Sequence, residues 1–256
     1  MGTIISFGDS FTWGTDLGDM HAMSHEPLGY EILESPINTD GIYDTFGDVM
    51  WGLHWKPDYS KSTWPSLLAD DLSMGYVCHA SPGASNHTIY RSILDNLQSL
   101  NEGDLVVVNW TWIDRWDVLN CIDNSWVTLR PSDEDSHLHK FYLKYLQSEL
   151  WNKLETLKNI TSIINILENL GINFVMTCLD KLILDKEFHA PQYILELQDI
   201  VTPSLIWFDD NGFYDWSKNN NFPMGETGHP LEESHSEAFK YIKKISILIY
   251  SVIYTP

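Results

Sequence analysis

Ser10 stands directly behind the apolar run Ile4-Ile5-Ser6-Phe7, inside the tetrapeptide Gly8-Asp9-Ser10-Phe11. A serine placed where a strand gives way to a glycine-marked turn shows its hydroxyl at the edge of a sheet. That is the position a nucleophile needs. The hydroxyl is inert at neutral pH unless a base takes its proton. Imidazole is the side chain that titrates in that range. A histidine suited to the task sits near the other end of the chain, in Gly228-His229-Pro230, just ahead of an amphipathic stretch. Pro230 fits the first turn of a helix and fixes where the preceding residue points. Each residue also has a plainer reading. Ser10 can be a helix N-cap, and His229 a cap histidine on the surface.

The elements that must carry these two residues can be read from patterning. Thr3 to Phe7 is short, β-branched and followed by glycine, which predicts a buried strand. Tyr76–His79, Asp104–Val108, Ile172–Cys178 and Ser204–Phe208 read as further strands, and the second of these is the clearest buried run. Helices are expected from Trp64, with Thr63 as N-cap, over 86–97, over about 141–169 ending at Gly171, and over 231–252. Strands alternating with helices argue for a parallel sheet covered on both faces. Residues 13–62 and 110–140 carry no clear period, and irregular segments of that length are often lids or binding loops. The expectation is one domain over residues 1–256 with insertions at about 13–62 and 110–140.

Composition narrows the chemistry. The 256 residues fit one α/β enzyme of roughly 200–250 residues. Hydrophobic residues make up 43% of the chain, enough for a core. The net charge is −21, from 36 acidic and 15 basic residues. A field of that sign repels phosphate backbones and anionic surfaces, so nucleic acid is not an expected partner, and neutral or cationic substrates fit better. Cys78, Cys121 and Cys178 are too few and scattered for a disulfide framework, which suggests a reducing compartment. The N-terminus shows no signal-peptide pattern, and no run of 18 apolar residues predicts a membrane span, so a cytoplasmic location is expected.

Gly8-Asp9-Ser10-Phe11, then Trp64-Pro65-x-x-Leu68-Ala69, then Ser81-Pro82-Gly83-Ala84-Ser85-Asn86, then Gly228-His229-Pro230 with a second histidine at 235, resemble the ordered blocks of the GDSL, or SGNH, hydrolase family. The blocks span nearly the whole chain. Gly-Ala-Ser-Asn together with a Trp-rich third block is similar to versions found in tailed-phage genomes, for which the location is the host cytoplasm or the virion. The resemblance implies a three-layer α/β/α flavodoxin-like sandwich around a parallel sheet of about five strands. It also implies ester hydrolysis without a cofactor: Ser10 as nucleophile, His229 as base, and an acid three residues before the histidine. That place holds Glu226 instead of the family's aspartate; Asp209 and Asp210 are alternatives. The implied oxyanion donors are the backbone N–H groups of Ser10 and Gly83 and an asparagine side chain. The third block, Val108-Asn109-Trp110-Thr111-Trp112-Ile113-Asp114, departs from the family's Gly-x-Asn-Asp. Asn109 is the nearest asparagine, with Thr111 or Asn86 as substitutes. Asp9 is expected to brace the turn, and Asp9, Asn86, Trp110 and Thr111 are candidates for the wall that meets substrate.

Trp13, Trp51, Trp55, Trp110, Trp112 and Trp116 fall in or beside the irregular regions and can line a pocket or fill core under loops. His21/His25 and His137/His139 have spacings compatible with a metal but no matching ligands nearby, so no metal is expected. The expected partner is a small-molecule or glycan ester, with acetate on a carbohydrate as the narrower version. A binding protein with weak or no turnover, and an acyltransferase using the same serine, are the other readings. Activity is expected to rise through roughly pH 6–7.

Overall fold

The computed structural model describes residues 2–23, 59–131 and 137–253. Most of the 13–62 segment, including Trp51, Trp55 and His25, lies outside the described residues.

Four strands form a parallel sheet: β1 (Thr3–Phe7), β2 (Gly75–Cys78), β3 (Leu105–Trp110) and β6 (Asn173–Cys178). Their order is β2-β1-β3-β6. Two shorter strands, β4 (Trp116–Leu119) and β5 (Trp126–Leu129), pair antiparallel as a hairpin between β3 and β6 in sequence. β1 pairs with both β2 and β3, with Ser6 opposite Cys78 and Phe7 opposite Val108. The chain crosses from one side of β1 to the other between β2 and β3. This is the doubly wound, flavodoxin-like order, and ligands in such sheets bind outside the carboxyl ends of the strands at the point of reversal. Ser10 follows β1 at that end.

Helices cover both faces. On one side α4 (Asn86–Asn96), α6 (Glu149–Leu170) and α7 (Gln192–Val201) pack on Val106, Val108 and Trp110. On the other, α3 (Trp64–Asp71), α8 (Phe213–Asn219) and α9 (Glu232–Ile253) pack on Ile4, Leu105 and Val107. Every β3 residue is buried, which suits a central parallel strand with both faces covered. Among the described residues no helix is long and apolar enough to cross a membrane.

Two expectations change in detail. The fifth strand, read at Ser204–Phe208, is reduced to one parallel bridge from Leu205 to Met176, with Ile206 N–H donating to the Met176 carbonyl at 2.8 Å. Thr202-Pro203-Ser204 forms a 3-10 turn just before it, and Asp209 and Asp210 take left-handed conformations just after. The segment is turned away at both ends before a ladder can grow. The single helix read at 141–169 is two: α5 (His137–Tyr145) and α6. Ser148 is extended and its side chain accepts from Trp151 N–H, so it caps a new helix rather than continuing the old one.

The hairpin accounts for residues 116–129 of the irregular 110–140 region. Asp117 on β4 is buried and accepts from Thr88 Oγ1 at 2.7 Å, Arg91 Nη2 at 3.2 Å and Thr128 Oγ1 at 2.6 Å. One carboxylate thus pins the hairpin to α4. Cys78 and Cys178 are buried and Cys121 is exposed, all as free thiols.

Candidate active site

Asp9 follows β1 and caps a one-turn helix, α1 (Ser10–Trp13), after which comes α2 (Gly18–Met23). Its Oδ1 accepts from Phe11 N–H at 3.1 Å. Asp9, not Ser10, is therefore the N-cap, and the Ser10 hydroxyl is left for other work. Oδ2 of Asp9 accepts from Thr111 Oγ1 at 2.7 Å and from Arg115 Nη1 at 3.0 Å. The same Arg115 nitrogen donates to the Ala84 carbonyl at 2.8 Å. One guanidinium thus ties the turn after β1 to the turn after β2. Burying a carboxylate is costly unless it is paired and hydrogen-bonded in this way.

His229 comes from a tight loop ahead of α9. The Gly225 N–H donates to the His229 carbonyl at 2.8 Å, and Leu231 N–H to the Pro223 carbonyl at 3.0 Å. The start of α9 is fixed from two sides. Ser234 Oγ meets Ser217 Oγ of α8 at 2.6 Å, and Nδ1 of the buried His235 accepts from Trp64 N–H of α3 at 3.2 Å. The result is a His229 Nε2 to Ser10 Oγ distance of 2.7 Å. The Phe11 ring lies 4.7 Å from the imidazole, centroid to centroid, and supports it.

The carboxylate behind His229 belongs to Asp16. Its Oδ2 is 3.4 Å from His229 Nδ1 and accepts from Thr227 Oγ1 at 2.6 Å and Thr227 N–H at 3.0 Å. Thr227 Oγ1 in turn lies 2.6 Å from His229 Nδ1. A hydroxyl has one hydrogen, and an ionised carboxylate only accepts. If Thr227 gives its hydrogen to Asp16, it must accept from Nδ1–H, which leaves Nε2 as an acceptor facing Ser10. Asp16 has a left-handed backbone at φ 71°. Gly225 passes so close that a Cβ there would collide with the Asp16 side chain. Glu226, expected in this role, is exposed and makes no hydrogen bond or ion pair among the described residues. It points away because the loop 225–228 presents Thr227 to Asp16. Asp209 accepts from Trp216 Nε1 and Asp210 pairs with Lys181, so neither serves His229.

Burial pulls the His229 imidazole below the ordinary histidine value, and Arg115 adds to that. Asp16 and Asp9 pull the other way but do not overcome it. For Asp16, burial raises the carboxyl, yet the Thr227 hydroxyl and amide and the His229 ring outweigh it and hold it below its usual range. Near neutral pH the pair is a neutral base beside an ionised acid.

Gly83 has φ 78°, a conformation in which side chains are strained, and the Arg130 guanidinium lies over it. The Ser81-to-Ala84 turn is held by Ser81 N–H donating to the Gly8 carbonyl at 3.1 Å, which brings this turn beside the Ser10 turn. Neither the Ser10 nor the Gly83 N–H has an acceptor among the described residues.

The third block differs from expectation. β3 runs on to Trp110, so Asn109 is a wholly buried strand residue that accepts from Thr177 Oγ1 at 2.9 Å, with its Nδ2 unpartnered. Trp110 is core, not a substrate wall. Asn86 clamps the chain after β3: it accepts from Thr111 N–H at 2.8 Å and donates to the Thr111 carbonyl at 2.9 Å and to Thr156. Thr111 spends its hydroxyl on Asp9. Asn86, Thr111 and Asp9 therefore spend their polar groups on bracing the site. Among the described residues no group of three or more histidine, cysteine or acidic side chains is placed to hold a metal.

No protein-family model matches the sequence, and no curated protein matches it. Among solved structures, the chain is similar to a lipolytic protein of the G-D-S-L family from Desulfitobacterium hafniense, at 12% identity over 96% of this chain and 99% of that one, with a TM-score of 0.41. It is similar to a psychrotrophic esterase from Pseudoalteromonas, at 13% identity over 95% and 98%, TM-score 0.43. It is also similar to an acetyl xylan esterase from Butyrivibrio proteoclasticus, at 12% identity over 100% of this chain and 65% of that one, TM-score 0.46.

Proposed function

We propose that this protein is a serine hydrolase of the GDSL type that cleaves carboxylic esters. The observation that carries the reading is the 2.7 Å approach of Ser10 Oγ and His229 Nε2, from opposite ends of the chain. The ordered motif blocks support the same reading. Ser10 Oγ attacks the ester carbonyl while His229 Nε2 takes its proton. Asp16, directly and through the Thr227 hydroxyl, holds the tautomer and stabilises the imidazolium. The tetrahedral oxyanion is held by the N–H groups of Ser10 and Gly83. Collapse expels the alcohol, which takes the proton back from His229, and leaves an acyl group on Ser10. Water, deprotonated by the same imidazole, then releases the acid. Small acyl groups on carbohydrates are the narrower substrate class we favour, since the strongly negative chain disfavours polyanions.

A second reading has its own observation. Asn86 and Thr111 are spent on structure, and Asn109 is buried, so none of these three side chains stands ready as the third oxyanion donor. Loss of one such donor costs ~10²–10³ in rate. The same fold can then serve as a binding protein with slow turnover, or pass its acyl group to an alcohol instead of water. Turnover of p-nitrophenyl acetate decides between these. The hydrolase reading expects steady release that falls by at least ~10³ in Ser10→Ala and in His229→Ala. Equal background rates in all three proteins would rule it out, and product made only with an added alcohol would make it a transferase.

A further inference from the structure

A separate pocket lies between α4, the β4–β5 hairpin and α6, with a volume of about 240 Å³. At roughly 30 Å³ of liquid per water it holds about eight waters, room for one hexose-sized ring. Its walls include His87, Arg115, Trp116, Trp126, Glu155 and Asn159. None of the mechanism above uses it, except that Arg115 also holds Asp9.

Three observations define what fits. First, the charges on the walls are already matched. Arg115 is paired with Asp9, the buried Asp117 with Arg91, and Glu155 with Lys158. A charged ligand finds no spare counter-ion. Second, several polar groups are unspent. The Asn159 side chain makes no hydrogen bond among the described residues, and the indole N–H groups of Trp116 and Trp126 donate to no protein acceptor there. The His87 ring is half-exposed, with Nδ1 3.7 Å from Asp117 Oδ2, and burial outweighs that carboxylate and pulls its proton affinity down, so the ring is neutral at pH 7 and keeps Nε2 for a ligand. Third, Trp126 is a rigid, accessible platform. It is 41% exposed, with the Arg91 guanidinium 4.1 Å from the ring centroid and the His87 ring edge-on at 5.0 Å. Indole against apolar C–H faces, ringed by planar amide, carboxylate and imidazole groups that bond paired hydroxyls, is the chemistry that recognises an uncharged sugar.

We infer that this pocket is a binding site for a neutral saccharide. The inference goes beyond the hydrolase reading and stands without it, because the pocket needs no turnover to bind. If both hold, the sugar unit seated here belongs to the same substrate as the acylated unit that Ser10 attacks.

The test is calorimetric titration of the full chain carrying Ser10→Ala, so that nothing is hydrolysed. The probes are xylotetraose, cellotetraose and chitotetraose, with tetragalacturonate and adenosine as charged and nucleoside comparisons. At least one neutral oligosaccharide is expected to bind with a millimolar or tighter Kd, more tightly than both comparisons. Trp126→Ala and Asn159→Ala, added to Ser10→Ala, are each expected to weaken binding about three- to tenfold. Should Trp126→Ala disturb the hairpin by circular dichroism, Asn159→Ala decides, because that side chain holds nothing else in place. The inference is overturned if no neutral probe binds, if adenosine or tetragalacturonate binds as tightly, or if folded variants bind unchanged. Failure of the hydrolase reading shows separately, as absent p-nitrophenyl acetate turnover by the wild type.

Discussion

Replacing Asp16 by asparagine removes one charge and nothing of the fold. In the wild type its Oδ2 is 3.4 Å from His229 Nδ1, and both side chains are largely buried. Two unit charges at that distance in an effective dielectric near 20 interact by about 5 kcal/mol, an upper bound on the imidazolium stabilisation lost. A second loss follows from the Thr227 relay. An amide at position 16 can donate to Thr227 Oγ1, which frees that hydroxyl to donate to Nδ1. The proton then moves to Nε2, where it faces Ser10 and blocks base catalysis. Together these predict a fall of ~10²–10⁴ in kcat/KM for Asp16→Asn, since about 4 kcal/mol is three orders of magnitude. Glu226→Gln, one residue before Thr227 but facing solvent, should stay within about threefold of wild type. The assay is p-nitrophenyl acetate hydrolysis, with the second-order rate of fluorophosphonate labelling as a substrate-independent check. The reasoning is refuted if Asp16→Asn stays within threefold, or if Glu226→Gln falls as far.

Four further outcomes follow from the same geometry. The base is neutral at lower pH than an ordinary histidine, so activity should rise with a midpoint below about pH 6.5 rather than through pH 6–7; because Asp180, raised to about 6 by burial, titrates nearby, the profile should be repeated in Asp180→Asn and keep its midpoint. Arg115→Met leaves Asp9 buried without its cation, which should cost about 3–5 kcal/mol and lower Tm by about 6–20 °C in thermal unfolding, whereas an unchanged Tm would mean the pair is dispensable. Gly225→Ala pushes against Asp16, so it should depress kcat while the fold, read by circular dichroism, is retained; wild-type kcat would show that the loop yields. His235 is buried and neutral, with its proton affinity lowered to about 3. The unfolded chain, near 6.5, binds that proton first, so stability is complete above pH 6.5 and drops by on the order of 4 kcal/mol as pH falls toward 3. Urea titrations from pH 7 to pH 4 should show a shallower slope in His235→Gln, and parallel slopes would contradict the assignment.

Much of this arrangement could be read in the sequence because it is local. Thr3–Phe7 and Asp104–Val108 announce buried strands by β-branching and lack of alternation, and Gly8-Asp9-Ser10 marks the turn. His229 could be read because Pro230 and the following amphipathic run fix a helix start. Asp16 could not, since its role comes from a contact across the fold between the loop after α1 and the loop before α9. Counting three residues back from the histidine led instead to Glu226, which the loop turns to solvent. The third block misled for a similar reason. Nothing in Val108-Asn109-Trp110 says where the strand stops, and two more residues of ladder turn Asn109 and Trp110 from site residues into interior ones. Arg115 was silent because its partner, Asp9, is far away in the chain. The hairpin was hidden by weak alternation and by a stabilising carboxylate, Asp117, whose partners sit on another element.

Ester hydrolysis by this protein requires Ser10 to be a nucleophile activated by His229. Incubating the full chain with a fluorophosphonate at pH 7.5 and mapping the adduct by peptide mass spectrometry tests this most directly. The expected result is one stoichiometric adduct on Ser10, with its formation slowed by at least ~10² in His229→Ala. No adduct, an adduct on another residue, or the same rate without His229 would contradict it.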